Sequence, residues 1–388
     1  VTPSRFRTPA ALATAVLATL TLAACGGDAT DTAAVALEPA TGARALADVC
    51  PATVDIQLQW QPQSDMGALF QMLGPGYTVD TDARSVTGPL VAGGKDTGVD
   101  LTLRAGGPAI GFQSVSSQLY VDEEIDLGIV HGDQLVAAAG SQRVIGLTPL
   151  LEYSPAILLW DPATHPEWQT IADIGKSGAT VVVSKEQIFP QWLVASGLLE
   201  AGQLDTTYDG APARFVGDPS IAQQGFANSE PYSYENDTPA WNKPVKYALV
   251  KDAGFDIYAS NVVVRPDKLD ALTPCLERLV PIIQQSGVDY VGAPERANET
   301  IVDIIAADLA YKPYSAGQAA AGAELLAAQG LLANGASGTF GTYDPARTQR
   351  TVDQLLPILN AGGANLPADL TGAQLFDPRF TDPSIGIR

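Results

Sequence analysis

The sequence predicts an α/β protein made of two doubly wound lobes, with a hinge and a cleft between them. Three observations carry that expectation. Short apolar runs of strand length alternate with longer helical patterns, as in chains of strand–helix–strand units with largely parallel sheets. The 388 residues exceed what one hydrophobic core usually holds, so two cores are expected. No segment recurs at a period of roughly 20 to 50 residues, which sets solenoids and propellers aside.

At the start, Arg5 and Arg7 precede an apolar run from Ala10 to Ala24 that ends in Leu22-Ala23-Ala24-Cys25. A basic region, an apolar core and small residues before a cleavage point make residues 1–24 a secretory signal peptide. The run is shorter than the roughly 20 residues a membrane span needs. Cys25 in that position resembles a bacterial lipobox cysteine, the alternative being an ordinary thiol. Residues 25–50 then form a lipidated, flexible tether, which places the folded part outside the cell and anchored to its membrane.

The chain carries a net charge of −21. Such acidity excludes nucleic-acid binding through a basic footprint and membrane association through basic patches. Of three cysteines, Cys50 and Cys275 remain once Cys25 is lipidated. In an oxidising compartment they are expected to form a disulfide, two free buried thiols being the alternative.

The first strand is Val54–Trp60, where apolar and polar residues alternate, followed by a helical face over Met66–Leu73. A segment rich in Gly, Thr and Asp, residues 74–98, reads as an insertion: a hairpin that fringes the cleft or decorates the surface. Val99–Leu103 is a second strand, a helix runs to Tyr120, and Ile125–Val130 is a third strand. The next set comprises a strand at Ala156–Trp160, a helix at Ile171–Ile174, a strand at Thr180–Val183 and a helix through Trp192–Leu199. A strand at Arg214–Val216, a short helix at Ser220–Ala227 and a strand at Val245–Val250 follow. The run Ile257–Val264 returns the chain to the first lobe, and helices are predicted over 269–285, 298–310, 316–332 and 348–361, the last packing outside that lobe. Residues 376–385 form a tail. Lobe 1 is thus residues 51–148 and 259–388, and lobe 2 is residues 149–258, with crossings near 147–154 and 254–260.

Several of these segments together resemble one family. They are Trp60-Gln61-Pro62, Gly106-Gly107-Pro108, Ile125-Asp126-Leu127-Gly128-Ile129, Glu152-Tyr153-Ser154-Pro155 and Ser229-Glu230-Pro231-Tyr232. In order and spacing they resemble the solute-binding proteins of the nitrate/sulfonate/taurine and thiamine-pyrimidine-precursor group, the SsuA-like family, over residues 54–387. The resemblance implies a periplasmic-binding-protein type II fold. It also implies an ABC-importer receptor that captures a small molecule by hinge closure and works with permease and ATPase subunits. Open α/β sheets hold ligands beyond the carboxyl ends of their strands, which is consistent with that reading.

The candidate ligand residues follow from those strand ends. Trp60 is either a stacking surface or a core residue. Gln63 and Asp65 open the first helix, where Asp65 also suits a cap. Gly106, Gly107 and Pro108 follow the second strand, where helix-end N–H groups would hold an anionic oxygen. His131 and Asp133 follow the third strand. On the second lobe, Tyr153, Ser154, Ser184 and Asp218 are ligand contacts or turn and cap residues, and Glu230 accepts from the ligand or from the opposite lobe. These features suit a planar or anionic solute such as a sulfonate, an aromatic carboxylate or a pyrimidine. No cofactor is expected, and no metal, because no histidine, cysteine and carboxylate set stands at ligand spacing. The pyrimidine-synthase branch of the family is an enzyme that uses an iron-binding cysteine-rich motif, which this chain lacks. A monomer that catalyses nothing is expected. The alternatives are a sensory lipoprotein on the same fold and an exported enzyme.

Overall fold

The structure, a computed structural model, describes residues 37–388; the signal peptide and Cys25 lie outside them. In chain order the strands are β1 (Thr53–Gln57), β2 (Thr78–Asp80), β3 (Ser85–Ala92), β4 (Lys95–Arg104), β5 (Leu127–Val130), β6 (Ile145–Leu151), β7 (Ala156–Trp160), β8 (Val181–Val182), β9 (Leu204–Asp205), β10 (Ala222–Phe226), β11 (Lys246–Leu249) and β12 (Ala259–Val264). The helices are α1 (Gly67–Gln71), α2 (Val115–Val121), α3 (Gly132–Ala137), α4 (Ile171–Ser177), α5 (Phe189–Ala195), α6 (Ala213–Gly217), α7 (Glu230–Tyr232), α8 (Pro266–Gly292), α9 (Glu295–Ala307), α10 (Ala316–Ala328), α11 (Pro345–Ala361) and α12 (Gly372–Leu375).

Seven strands form the larger sheet in the order β2-β3-β4-β1-β5-β12-β6, and five form the smaller in the order β11-β7-β10-β8-β9. The chain leaves the larger sheet after β6, builds the smaller one, and returns through β12, which lies antiparallel between β5 and β6. Pairing is mixed rather than largely parallel: β1 runs parallel to β4 and β5, whereas β10 and β11 both run antiparallel to β7. The antiparallel strands arise where the chain turns back at a sheet's edge or re-enters from the other sheet, and no crossover helix is needed there.

β1 shows why alternation in a sequence need not mean a solvated face. Val54 and Ile56 are buried, and so are Asp55 and Gln57 on the opposite side. Asp55 is neutralised by Arg104, whose guanidinium lies 2.7 Å away, and Gln57 donates to the carbonyls of Arg104 and Ala105. A buried polar side chain is tolerated where it is hydrogen-bonded in this way.

Five sequence expectations are corrected or sharpened. The 74–98 segment forms the expected hairpin but builds it into the larger sheet, supplying β2, β3 and the start of β4 at one edge. The tether does not stay flexible to residue 50. From Glu38 onward it lies on β4, with Ala40 N–H on the Asp96 carbonyl, Leu46 N–H on the Thr97 carbonyl and Leu46 fully buried. The Cys50–Cys275 disulfide fastens its end to α8. Arg214–Val216 lies in helix α6, and the helix expected at 220–227 is strand β10. α11, expected on the outside of one lobe, packs on α3 beside the larger sheet and on α5 beside the smaller.

Two buried apolar clusters result, and each joins both sheets. Successive residues of β7 point to opposite faces, so Ile157 and Leu159 enter one cluster with Ile56 and Leu101. Leu158 and Trp160 enter the other with Val130 and Leu135. No helix among the described residues is long and apolar enough to cross a membrane.

Candidate functional site

The carboxyl end of β1, the loop after it, the end of β5 and the start of β12 converge on one side of the larger sheet and face the loop after β10. Gln59 is the centre of the arrangement: its Nε2 donates to Asp65 Oδ2 at 2.8 Å and to Ser260 Oγ at 2.9 Å. Ser260 takes a left-handed conformation, φ 50°, as the chain re-enters the sheet, and its N–H donates to His131 Nδ1 at 3.2 Å. That bond leaves the proton of the neutral imidazole on Nε2. The His131 ring stacks against Phe226 at the end of β10. Beside Asp65, Ser64 Oγ accepts from Asn228 Nδ2 of the smaller side at 3.3 Å. A polar chain therefore runs from Asn228 through Ser64 and Asp65 to Gln59, Ser260 and His131.

Electrostatically this chain is poor in positive charge. Burial pushes the Asp65 carboxyl up to about 6, only partly offset by hydrogen bonds from Gln63, its own backbone, Gln59 and Ser260. Burial likewise raises Asp133 to about 6 and depresses His131 to about 4, so the imidazole is neutral near pH 7. Gln59 Oε1, Asp65 Oδ1 and Asn228 Oδ1 are buried with no donor among the described residues.

Trp60 stands at the rim, half-buried, with Phe112 5.9 Å away and the Lys312 ammonium 6.0 Å from its ring. Gly107, at φ 58°, lies against the indole so closely that a Cβ there would come within 2.3 Å of it. The glycine thus sets the height of the tryptophan, a role for which it need not touch any ligand. The anion cradle expected here is reduced to the Gly107 N–H. Residues 107–110 make a single 3-10 turn, the Gly106 N–H is taken by the Trp60 carbonyl, and Pro108 has no N–H to give.

The remaining sequence candidates separate. Gln63 and Asp133 sit beside the polar chain. Glu230 spends both oxygens on its own side, Oε2 on the Phe226 N–H at 2.6 Å and Oε1 on the Tyr208 hydroxyl at 3.0 Å, which shapes the loop that presents Asn228. Tyr153 and Ser154 belong to the crossing after β6: Tyr153 packs on the Arg347 guanidinium, and Ser154 Oγ accepts from the Ala156 N–H. Ser184 and Asp218 lie apart in turns, where their side-chain oxygens accept from Glu186 N–H and from Ser220. Gln59, Ser260, Asn228 and Lys312 were not anticipated. One signal was available: Ser260-Asn261 is a polar pair inside the apolar run 257–264.

The seam between the two sides is closed. Gln318 donates to Ser229 Oγ, Lys312 to the Asp209 carbonyl and Gln329 to the Tyr247 hydroxyl. On α10, Gly322 lies against Ser64 Oγ and the Asn228 carbonyl, with no room for a Cβ. Two hollows lie away from the seam, a shallow open basin around Gly42–Asp48 and Arg278 and a small crevice beside the disulfide.

No family model matches the chain, and no curated protein sequence matches it. Solved structures do. The alkanesulfonate-binding protein SsuA of Xanthomonas axonopodis pv. citri, bound to MOPS, superposes with a TM-score of 0.53 at 14% identity, covering 84% of this chain and 99% of that one. The periplasmic aliphatic sulphonate binding protein SsuA of Escherichia coli gives 0.53 at 13% identity, with 85% and 93% covered. The periplasmic nitrate-binding protein NrtA of Synechocystis PCC 6803 gives 0.51 at 12%, with 85% and 87% covered. At such identities the likeness establishes the fold, that of the periplasmic binding proteins.

Proposed function

We propose that this protein is an extracytoplasmic solute-binding receptor of an ABC importer, not an enzyme, in which residues 51–148 with 259–388 and residues 149–258 act as lobes that part and close around a small molecule. The observation that carries the reading is the run of polar groups from Asn228 to His131. It sits at the strand ends of the larger sheet, meets the smaller side, and keeps buried acceptors that the protein does not satisfy. Groups left in that state cost stability, and a site that must exchange water for a ligand is one setting that keeps them. The fold supports the reading by likeness, since solved sulfonate- and nitrate-binding proteins share it. Hinge closure is a repertoire of such two-sided folds, and a closed seam is the state in which the lobes would hold their cargo. Anchoring through Cys25 at the outer membrane surface belongs to the same proposal, as does a monomeric state.

The expectation of an anionic cargo rested on free N–H groups at Gly106–Pro108; the Gly106 N–H is engaged and Pro108 has none, which leaves the Gly107 N–H alone. The test is a thermal-shift panel on the full chain with organic cations, sulfonates, aromatic carboxylates, nitrate and pyrimidines. A ligand that binds only the folded state at about 100 times its Kd adds about 2.7 kcal/mol of stability. At least one class is expected to raise Tm and to change the radius of gyration in solution scattering. If no class raises Tm, the receptor reading falls.

A further inference from the structure

The seam contains three buried acceptors without donors among the described residues, Gln59 Oε1, Asp65 Oδ1 and Asn228 Oδ1, on two hydrogen-bonded pairs that adjoin through the consecutive residues Ser64 and Asp65. Gln59 is bonded directly to Asp65, and Asn228 to Ser64, the neighbour of Asp65. Asp65 is 5% exposed and Asn228 2%. Unpartnered acceptors occur elsewhere too: the amide oxygens of Gln71, Gln223 and Gln329, a carboxylate oxygen of Asp308 with Arg84 3.4 Å away, and carboxylate oxygens of Asp55 and Glu152. In Asp55 and Glu152 the other carboxylate oxygen holds an arginine, at 2.7 Å in each case. Asp65 is met only by neutral groups, the Gln59 amide at 2.8 Å together with Gln63, Ser260 and its own backbone. The nearby cation, Lys312, is spent at the rim, on the Asp209 carbonyl and under the influence of Asp209 and Glu230.

A carboxylate taken out of water without a counter-charge is among the most costly groups a fold can bury, whereas amides and hydroxyls around it can be satisfied by neutral partners. What the unit lacks is therefore specific: hydrogen-bond donors carrying positive charge. Resting on the receptor reading above, we infer that the unit recognises an ammonium or amidinium group of the captured solute. Such groups present several N–H donors and no acceptor, matching a unit with acceptors to spare, and hydrogen bonds to charged groups are stronger than neutral ones. A sulfonate or carboxylate in the same position would face the like charge of Asp65. Because Asn228 belongs to the smaller side while Gln59 and Asp65 belong to the larger, the cation gains its full set of contacts only when the sides are together. That differential affinity is what a ligand needs to shift a two-state protein towards closure.

The test measures binding of benzamidinium and phenethylammonium against benzoate and benzenesulfonate by titration calorimetry on the full chain. The cations are expected to bind and the anions not. Asp65→Asn, which keeps the shape and removes the charge, weakens the cations by roughly 10- to 100-fold. Asn228→Asp, adding a second carboxylate beside Ser64, tightens them by about fivefold and serves as the readout should Asp65→Asn fold poorly. Binding of the anions alone, or an Asp65→Asn protein that holds the cations unchanged, overturns the inference and leaves the receptor reading standing. Binding of neither series, or of anything else in the wider panel, removes both.

Discussion

Two buried carboxylates, Glu152 and Asp65, stand in different parts of this molecule and are handled in opposite ways. Glu152 lies at the crossing from β6 to β7, where Arg347 Nη1 meets its Oε1 at 2.7 Å and the two side chains are 7% and 5% exposed. The same guanidinium donates to the Glu152 carbonyl and, through Nε, to the Asp256 carbonyl of the return crossing, between the rings of Tyr153 and Tyr258. One side chain on α11 thus ties together both strands of chain that join the two sheets. Asp65 is as deeply buried but has no cation. A charge matched within the fold marks a structural tie, and a charge left unmatched marks a place that waits for a partner from outside.

The largest way to break that comparison is Arg347→Ala. Removing one member of a buried ion pair strands the other and typically costs about 3–5 kcal/mol, here with the loss of two backbone bonds as well. Urea unfolding is expected to show that loss. The double variant Arg347→Met with Glu152→Gln should recover much of it, since replacing both charges removes the stranded one. A single variant within about 1 kcal/mol of the parent would mean that the pair is no tie.

Asp65→Asn tests the other side, and its sign is opposite. The folded-state pKa of Asp65 is raised to about 6 from 3.8, so its favourable contribution is fully present below pH 3.8 and is lost as pH rises through 6. The parent is therefore expected to lose roughly 2 kcal/mol relative to Asp65→Asn between pH 4 and pH 7. His131 acts in the reverse direction, its depressed pKa of about 4 stabilising the fold above pH 6.5 and losing that effect as pH falls through 4. Because His131 is present in both proteins, the difference between their urea curves isolates Asp65. A difference that stays flat across this range would show that the carboxyl is compensated within the fold.

The same physics explains what was legible in the sequence. β7 was readable to its ends because Ala156–Trp160 is five apolar residues buried on both faces. β10 was not, because Ala222-Gln223-Gln224-Gly225-Phe226 carries two polar residues into the core. There Gln223 donates to the Tyr234 hydroxyl and Gln224 accepts from the Ser184 N–H. Apolar periodicity detects strands that repel water, and it misses strands whose polar groups are satisfied inside. The site divides along the same line. Asp65 and His131 were found because they follow strands and are chemically conspicuous. Gln59, Ser260 and Asn228 are common surface residue types whose meaning depends on partners far away in sequence: Gln59 and Ser260 are 201 residues apart. Only the return of β12 into the larger sheet brings them together, and strand order across a sheet is not written in local pattern.

Asp218 supplies the smallest expected effect, and the comparison needs it as a baseline. It was a site candidate on the same sequence grounds as Asp65, a carboxylate after an element end beside a polar turn. The structure leaves it at the end of α6, its Oδ1 accepting from the Ser220 N–H and hydroxyl; those bonds hold its pKa below the usual carboxylate range. An exposed Asx turn is worth little, so Asp218→Ala should change stability by no more than about 0.5 kcal/mol and leave cation binding unaltered in calorimetry. A binding loss comparable to that of Asp65→Asn would mean that the solute contacts the outer turns of the smaller side. Burial without a counter-charge would then no longer be the feature that separates the site from the rest of the acidic surface.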